Sequence, residues 1–422
     1  MRKKDDQHSA LFEYDLSEHV MLVQDWLHMT TLDKFAANHF SDGSNKADSV
    51  LINGKGRFQP FLNTVTVNQT TTLYTDREIF TVKQGFRYRF RVISSAITNA
   101  PLQVSVDSHN LTVIASDGDD FQPIVVHAFN IYAGERFDFI LDANQTLGRY
   151  WLRVQGLDGA KTANEFNDTI PQENMVTHYV AFDFYKVNNH HFHDPILYPI
   201  DSEDVAPQTS SPQLNHVSLT LPPAPPLSQL ADIPAEELCE ASDVLNMTER
   251  CTEEFCECIH VISVQLDQTV ELVLVDEGSG VRHPFHLHGH SFHVVGQDVF
   301  NASRISLEEV MELDKAGEIP RNLDLAPIKD TVIVPSGGYT IIQFVADNPG
   351  WWFFHCHIEF HVATGMGLLV HVGTDDDLPP APKNFPRCGT FPPEPSFSTQ
   401  PTASPTVCVL VFMMWLRELL FR

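Results

Sequence analysis

Residues 351–366 constrain this chain more than any other stretch. They read Trp351-Trp-Phe-Phe-His355-Cys356-His357-Ile-Glu359-Phe-His361-Val-Ala-Thr-Gly-Met366. Four aromatic residues lead into the His-Cys-His triplet, as a buried strand would. Side chains alternate faces along a strand. If the strand continues through the triplet, Cys356 points one way while His355 and His357 point together the other way. One strand can then serve two metal sites set back to back.

A thiolate with two imidazoles in a trigonal arrangement and a distant thioether is the ligand set of an electron-transfer copper site. His361 and Met366 follow Cys356 by five and ten residues, the reach of a loop that folds back over a metal. The second imidazole has to come from elsewhere. The other dense histidine cluster is His283-Pro-Phe-His286-Leu-His288-Gly-His290. His286 and His288 share a face at a spacing of two, while Pro284 holds His283 extended and apart. His283 is therefore free to join Cys356, and His286 and His288 to join His355 and His357. A single His-x-His pair is more often surface or satisfied core than a ligand set. Eight candidate ligands in two short clusters of complementary spacing point instead to copper.

These two motifs resemble the last two copper motifs of the blue multicopper oxidases. The surrounding text, from about Tyr14 to about Gly373, resembles a laccase of the arthropod type. The resemblance implies an all-β fold of two cupredoxin-like Greek-key β-sandwich domains joined by a Pro-rich linker. It implies a type 1 copper held by His283, Cys356, His361 and Met366, a type 2 copper held by His286, and type 3 copper held by His288, His355 and His357. Cys356 would form the wire between them, and Glu359 would supply protons to reduced oxygen. His290 and His293 match no family ligand and are expected to be structural.

The family cluster takes four His-x-His pairs, and this sequence shows two of them in the family's pattern. Since the text opens where the family's second domain opens, the resemblance implies that the first cupredoxin domain is lacking and the cluster half-liganded. The leading expectation is a copper oxidoreductase acting on phenols with dioxygen as acceptor, as a truncated form. A ferroxidase or ascorbate-type oxidase is the rival within the enzyme class, and carboxylates beside His283 or His361 would favour iron. A non-catalytic blue electron carrier or inactive fragment is the rival outside it, and the two missing pairs support it.

Strand patterns run from Tyr14 onward. Arg87-Tyr-Arg-Phe-Arg-Val-Ile93 and Glu135-Arg-Phe-Asp-Phe-Ile-Leu141 alternate as half-buried antiparallel strands do, with glycines as punctuation. A lead-in over 1–13, a copper-free domain over 14–185, a linker over 186–235, a copper-binding domain over 236–375 and a Pro/Ser/Thr-rich tail over 376–422 follow from these shifts. A short helix is expected from Ser306 to Lys315. His191-Phe-His193 has the form of a ligand pair but lacks a flanking strand and glycine, so a surface loop is expected there.

A formal net charge of -28 argues against nucleic acid and anionic membrane surfaces as partners. With Cys356 given to metal, Cys239, Cys251, Cys256, Cys258 and Cys388 read as a disulfide framework in an oxidising compartment. A zinc site at Cys256-Glu-Cys258 has the wrong spacing. Sequons at Asn68, Asn110, Asn144, Asn167, Asn246 and Asn301 also suit a secreted or surface-anchored protein, although no apolar signal region follows Met1. The apolar run from Val407 to Leu416 is shorter than the ~20 residues that span a bilayer. Membrane contact is therefore expected only if that end is an anchor.

Overall fold

The computed structural model describes residues 6–31, 35, 47–56, 77–98, 100–157, 174–192, 210–240, 244, 250–300, 302, 304–323, 326–383 and 385–388. The sequons at Asn68, Asn167, Asn246 and Asn301, Cys408 and the apolar end lie outside them. Strands dominate. The first group is β1 (Tyr14–Trp26), β2 (Ser49–Ile52), β3 (Arg87–Ser94), β4 (Leu102–Val106), β5 (Leu111–Ser116), β6 (Asp119–Val126), β7 (Ala128–Ile131), β8 (Arg136–Asp142) and β9 (Leu152–Gly156). They form a six-stranded sheet, β2-β1-β3-β8-β5-β6, and a three-stranded sheet, β7-β4-β9.

The two-residue period of β3 explains this first sandwich. Tyr88, Phe90 and Val92 point inward, with Phe90 stacked on Phe139 at 5.2 Å and Leu102, Val104 and Ile131 closing from the smaller sheet. Each fully buried side chain of this size stabilises the fold by about 1.5–3 kcal/mol. Arg87, Arg89 and Arg91 alternate with them and pair with Glu13, with Asp6 and Asp138, and with Asp15.

The second group begins with β10 (Met175–Tyr185), β11 (Ser211–Leu214), β12 (Ser218–Leu219), β13 (Leu238–Glu240), β14 (Glu257–Val264), β15 (Thr269–Asp276) and β16 (His283–Leu287). It continues with β17 (Phe292–Val299), helix α1 (Leu307–Lys315), β18 (Ile328–Lys329), β19 (Thr331–Val334), β20 (Gly338–Val345), β21 (Gly350–Cys356), the one-turn helix α2 (Glu359–Val362) and β22 (Gly367–Val372). One sheet runs β11-β10-β15-β20-β17-β18; the facing one runs β12-β14-β22-β21-β16-β19, with β13 beside β14. Between them lies an apolar cluster that includes Phe285, Phe354, Cys356, Ile358 and Met366. The expected helix is present, closed at its start by a capping box between Ser306 and Glu309.

The all-β sandwich architecture is as the sequence implies, with three differences in detail. The sheets are mixed: β1 runs parallel to β3, β10 to β15, and β14 to β22. Strand β10, expected at the close of the first domain, pairs with β15 over Met175–Phe182 and so builds the second sandwich. Every residue of β15 is buried, so both its edges need partners, and β10 supplies one where β20 supplies the other. Part of the expected linker is likewise stitched in as β11 and β12. Pro212 is tolerated because β11 is an edge strand.

Two disulfides, Cys239–Cys258 and Cys251–Cys256, form at the start of the second sandwich. Cys388 is exposed and bonded to no other described cysteine, so the framework holds four of the five expected residues.

Candidate metal centres

Strand β21 sits between β22 and β16, and its register with β16 sets Phe285 opposite Cys356 and His286 opposite His355. That register places the thiol on the core side and the imidazoles on the other. Past Cys356 the chain turns through α2 and returns. The Met366 N–H donates to the carbonyl of His361 at 3.0 Å, and the Cys356 N–H to that of Met366 at 3.1 Å. The ten-residue loop thus closes over the thiol, as the spacing predicts.

Cys356 Sγ lies 3.5 Å from His283 Nδ1 and 3.6 Å from His361 Nδ1, and those two nitrogens are 3.2 Å apart. A point equidistant from all three is about 2.0 Å from each, close to the ~2.0–2.3 Å of nitrogen and sulfur bonds to a transition metal. Cys356 and His283 are fully buried and His361 nearly so. Met366 is buried in the same apolar cluster. Burial pushes the Cys356 thiol up and holds His283 well below the ordinary imidazole value. Neutral imidazoles are ready ligands, and a thiolate in this dry setting needs a cation against it. Ser279 Oγ lies 2.9 Å from His283 Nε2, which leaves Nδ1 toward the thiol. The ring of Phe182 packs on His283 and that of Phe184 on His361, at 4.8 and 4.9 Å.

Behind this site the other four imidazoles converge. His288 Nε2 and His355 Nε2 are 3.3 Å apart, the span of two ligands on one metal ion. The rings of His286 and His288 are 4.7 Å apart, and those of His355 and His357 are 5.6 Å apart. In two of the rings the protein engages Nδ1: His355 Nδ1 is 2.9 Å from the carbonyl of Cys356, and His286 Nδ1 is 2.8 Å from that of Asp330. Such bonds leave Nε2 for a metal and fix the ring's rotation. Burial, then the neighbouring imidazoles, push His355 down to about 3, and burial lowers His288 and His357 as well. Strand β21 ends at Cys356, so His357 reaches this face from the turn, its N–H bonded to the carbonyl of Pro284 at 2.7 Å.

The first sandwich reaches this face, and the sequence alone shows no sign of it. Gly134, in the turn between β7 and β8, has φ +82°, and a Cβ there would stand 2.4 Å from the ring of His357. Arg136 clamps Asp330 with two hydrogen bonds, and Asp330 lies beside His286 Nδ1 at 3.5 Å. Burial would raise the Asp330 carboxyl, but the guanidinium and the bond to His286 hold it far below the usual range. Next to it, buried Lys329 donates to Ser116 and pairs with Asp117 at 3.2 Å and Glu135 at 3.0 Å. Burial works against that ammonium, yet the two carboxylates more than offset it and its pKa is raised. The signal for Gly134 was turn punctuation only, while Arg136 and Asp330 sit in ordinary strand text.

Glu359 lies exposed in the first turn of α2, its N–H donating to the carbonyl of Ile97 at 3.3 Å. Among the described residues no hydrogen bond ties its carboxylate to the imidazoles. His290 packs on Phe344 and Trp352. His191 pairs with Glu257 at 2.7 Å, and His193 lies outside the described residues.

A buried thiol with two imidazoles, backed by clustered histidines on a β-sandwich, defines a copper-binding protein of the cupredoxin type. Two family models, both described as multicopper oxidase, match residues 17–179 and 224–376. Laccase-2 of Agaricus bisporus is 30% identical over 391 residues, covering 89% of this chain and 66% of its own length. Laccase-5 of Trametes villosa is 30% identical over 402 residues, covering 88% and 66%. The chain belongs to the multicopper oxidase family. Among solved structures, the laccase from Botrytis aclada superposes with a TM-score of 0.60 at 22% identity, over 88% of this chain and 66% of that one. Fet3p, a multicopper oxidase that functions in iron import, gives 0.57 at 19%, over 87% and 68%. These two share the fold. The chain spans about two thirds of the length of the curated relatives it matches, at 66% for the two named. Both are fungal, and the arthropod subtype gains no support from them.

Proposed function

We propose that this chain is the electron-accepting, copper-holding part of an oxidase that takes single electrons from phenolic reductants and delivers them to dioxygen. The observation that carries the reading is the double use of Cys356. Its Sγ closes a buried triangle with His283 and His361, while its backbone neighbours, His355 and His357, are themselves two of the imidazoles clustered on the other face. In this reading His283, Cys356, His361 and Met366 would hold a type 1 copper, His286 would hold type 2 copper, and His288, His355 and His357 would hold type 3. Bound copper supplies one-electron chemistry at the thiolate and oxygen reduction at the imidazole cluster.

The chain's own residues do the rest. Phe182, Phe184 and Phe285 keep water from the thiol, which keeps the local dielectric low. Phe353 stacks on His355 at 4.2 Å and holds its ring in place. The 2.9 Å contact from His355 Nδ1 to the Cys356 carbonyl adds a hydrogen-bonded link between the two faces beside the covalent one. Glu359, exposed three residues past Cys356, is the proposed proton source.

Among the described residues the rings of Phe182 and Phe184 and the hydroxyl of Ser279 pack on His283 and His361, an aromatic surrounding that suits a phenol as reductant. The electron-carrier reading rests on a specific observation as well: His288 is exposed, and four imidazoles are half of the eight the family cluster uses. The paired disulfides support an extracellular setting. No helix among the described residues is long and apolar enough to cross a membrane.

Copper titration followed by absorbance and oxygen uptake with a diphenol tests the proposal. One tightly held copper giving an intense blue thiolate band, and further copper that brings oxygen uptake, is the expected result. Blue colour with no uptake at any copper load would establish the carrier, and absence of blue colour would overturn both.

A further inference from the structure

A second cluster of metal-ligating side chains lies outside the centre described above. His190 and His191 follow β10, and Glu257 opens β14, 66 positions on from His191. His191 Nε2 is 2.7 Å from Glu257 Oε2, and His190 Nε2 is 4.0 Å from Oε1. One ligand atom from each of the three residues falls within 4.8 Å of the others. The two rings lie 4.0 Å apart, centroid to centroid.

Both halves of the cluster are held in place. Asn189 is almost fully buried; its Oδ1 accepts from the His191 N–H at 3.1 Å and its Nδ2 donates to Ser211 Oγ at 3.2 Å, fixing the turn that presents the imidazoles. Phe255 stands edge-on to both rings, at 5.3 and 6.1 Å. Glu257 sits between Cys256 and Cys258, each tied by a disulfide to a different partner. An exposed imidazolium–carboxylate pair is worth at most about 1 kcal/mol. That pairing needs one histidine. It does not account for a second imidazole against the same carboxylate, where two charged rings would repel.

We propose that His190, His191 and Glu257 form a surface site for a borderline divalent cation such as zinc or copper(II). Two neutral imidazoles and one carboxylate are the ligand chemistry of those ions. Calcium and magnesium prefer all-oxygen sets, and copper(I) prefers sulfur. The site's open side leaves room for water or an added ligand. A bound ion would cross-link the segment after β10 to the disulfide-bonded start of the second sandwich.

The test uses zinc and the full copper-loaded chain, with the copper content measured before and after. Calorimetric titration is expected to show one further equivalent of zinc with a Kd below about 100 μM. His191→Ala and Glu257→Gln should each weaken it by about tenfold or more, while His127→Ala, an exposed histidine elsewhere, should not. Copper content and the far-UV dichroism of each variant report whether the fold is intact. Weaker binding, or binding that the two site variants leave unchanged, would overturn the assignment.

Discussion

The two sandwiches follow the same packing logic, yet they divide the work of the metal face unequally. The second supplies every candidate ligand, from His283 on β16 to Met366 at the head of β22. The first supplies none, but through Gly134 and Arg136 it reaches two of them, His357 directly and His286 by way of Asp330. The candidate ligands are therefore local to one unit, whereas the contacts that position them extend to the seam between two. The buried Cys356 site shows the opposite arrangement. Its three candidate ligands and the Phe182, Phe184 and Phe285 rings around them lie within the second sandwich.

The strongest way to break that comparison is Cys356→Ser. The hydroxyl keeps the volume and removes the thiolate, so the blue absorption should vanish entirely while the four-imidazole face keeps its geometry. Retained blue colour would show that the thiolate ligand lies elsewhere. Acid sharpens it next. His260 on β14 is fully buried, neither ring nitrogen has a hydrogen-bond partner among the described residues, and burial pushes its pKa down to about 4. The unfolded chain takes up that proton near the ordinary ~6.5, the folded chain only near 4. The stability that this one group contributes is therefore complete above about pH 6.5 and falls as pH drops toward 4, by about 3 kcal/mol. Denaturant unfolding at pH 7 and pH 4 should show the second sandwich losing stability, and His260→Leu should lessen that loss by the His260 share, the buried imidazoles of the metal face keeping the remainder. An unchanged slope in the variant would sink the assignment of the acid limb to His260.

What was legible in the sequence follows the same division. The clustering of the candidate ligands was legible because strand periodicity and spacing are local: His355, Cys356 and His357 occupy three successive positions, and His286 and His288 are two apart. The alternation of Arg87 to Ile93 likewise announced its buried face. The edge partners of β15 were not legible, since an all-buried strand reveals that it needs neighbours but not which ones. That is why β10 and part of the proline-rich stretch after it joined the second sandwich. The Arg136–Asp330 clamp spans 194 positions and carries no local pattern at all. The same holds for His191 and Glu257, 66 positions apart, where the sequence at His191-Phe-His193 reads only as a surface loop.

Asp330→Asn isolates the positioning role. It keeps the side-chain shape but removes the charge that the Arg136 guanidinium grips beside His286. Partners that orient a metal-bound imidazole typically change affinity by about 10–100-fold. Competition with a chelator should therefore strip copper from the imidazole face more easily, with the blue band of the Cys356 site unaltered. Equal loss at both sites would mean that the seam supports the whole second sandwich rather than one face of it.

Gly134→Ala should have the smallest effect on stability and the most local one. An L-residue at φ +82° costs about 1 kcal/mol or more. The added methyl must also displace the ring of His357, which it would meet at 2.4 Å. The ring has somewhere to go because His357 is only partly buried and lies in a turn rather than in β21. The expected outcome is a folded protein with an intact blue band, a melting temperature lowered by a few degrees, and weakened copper retention at the imidazole face. A variant that keeps that copper would show that the second sandwich places His357 unaided, and the division of labour between the two units would then rest on Arg136 alone.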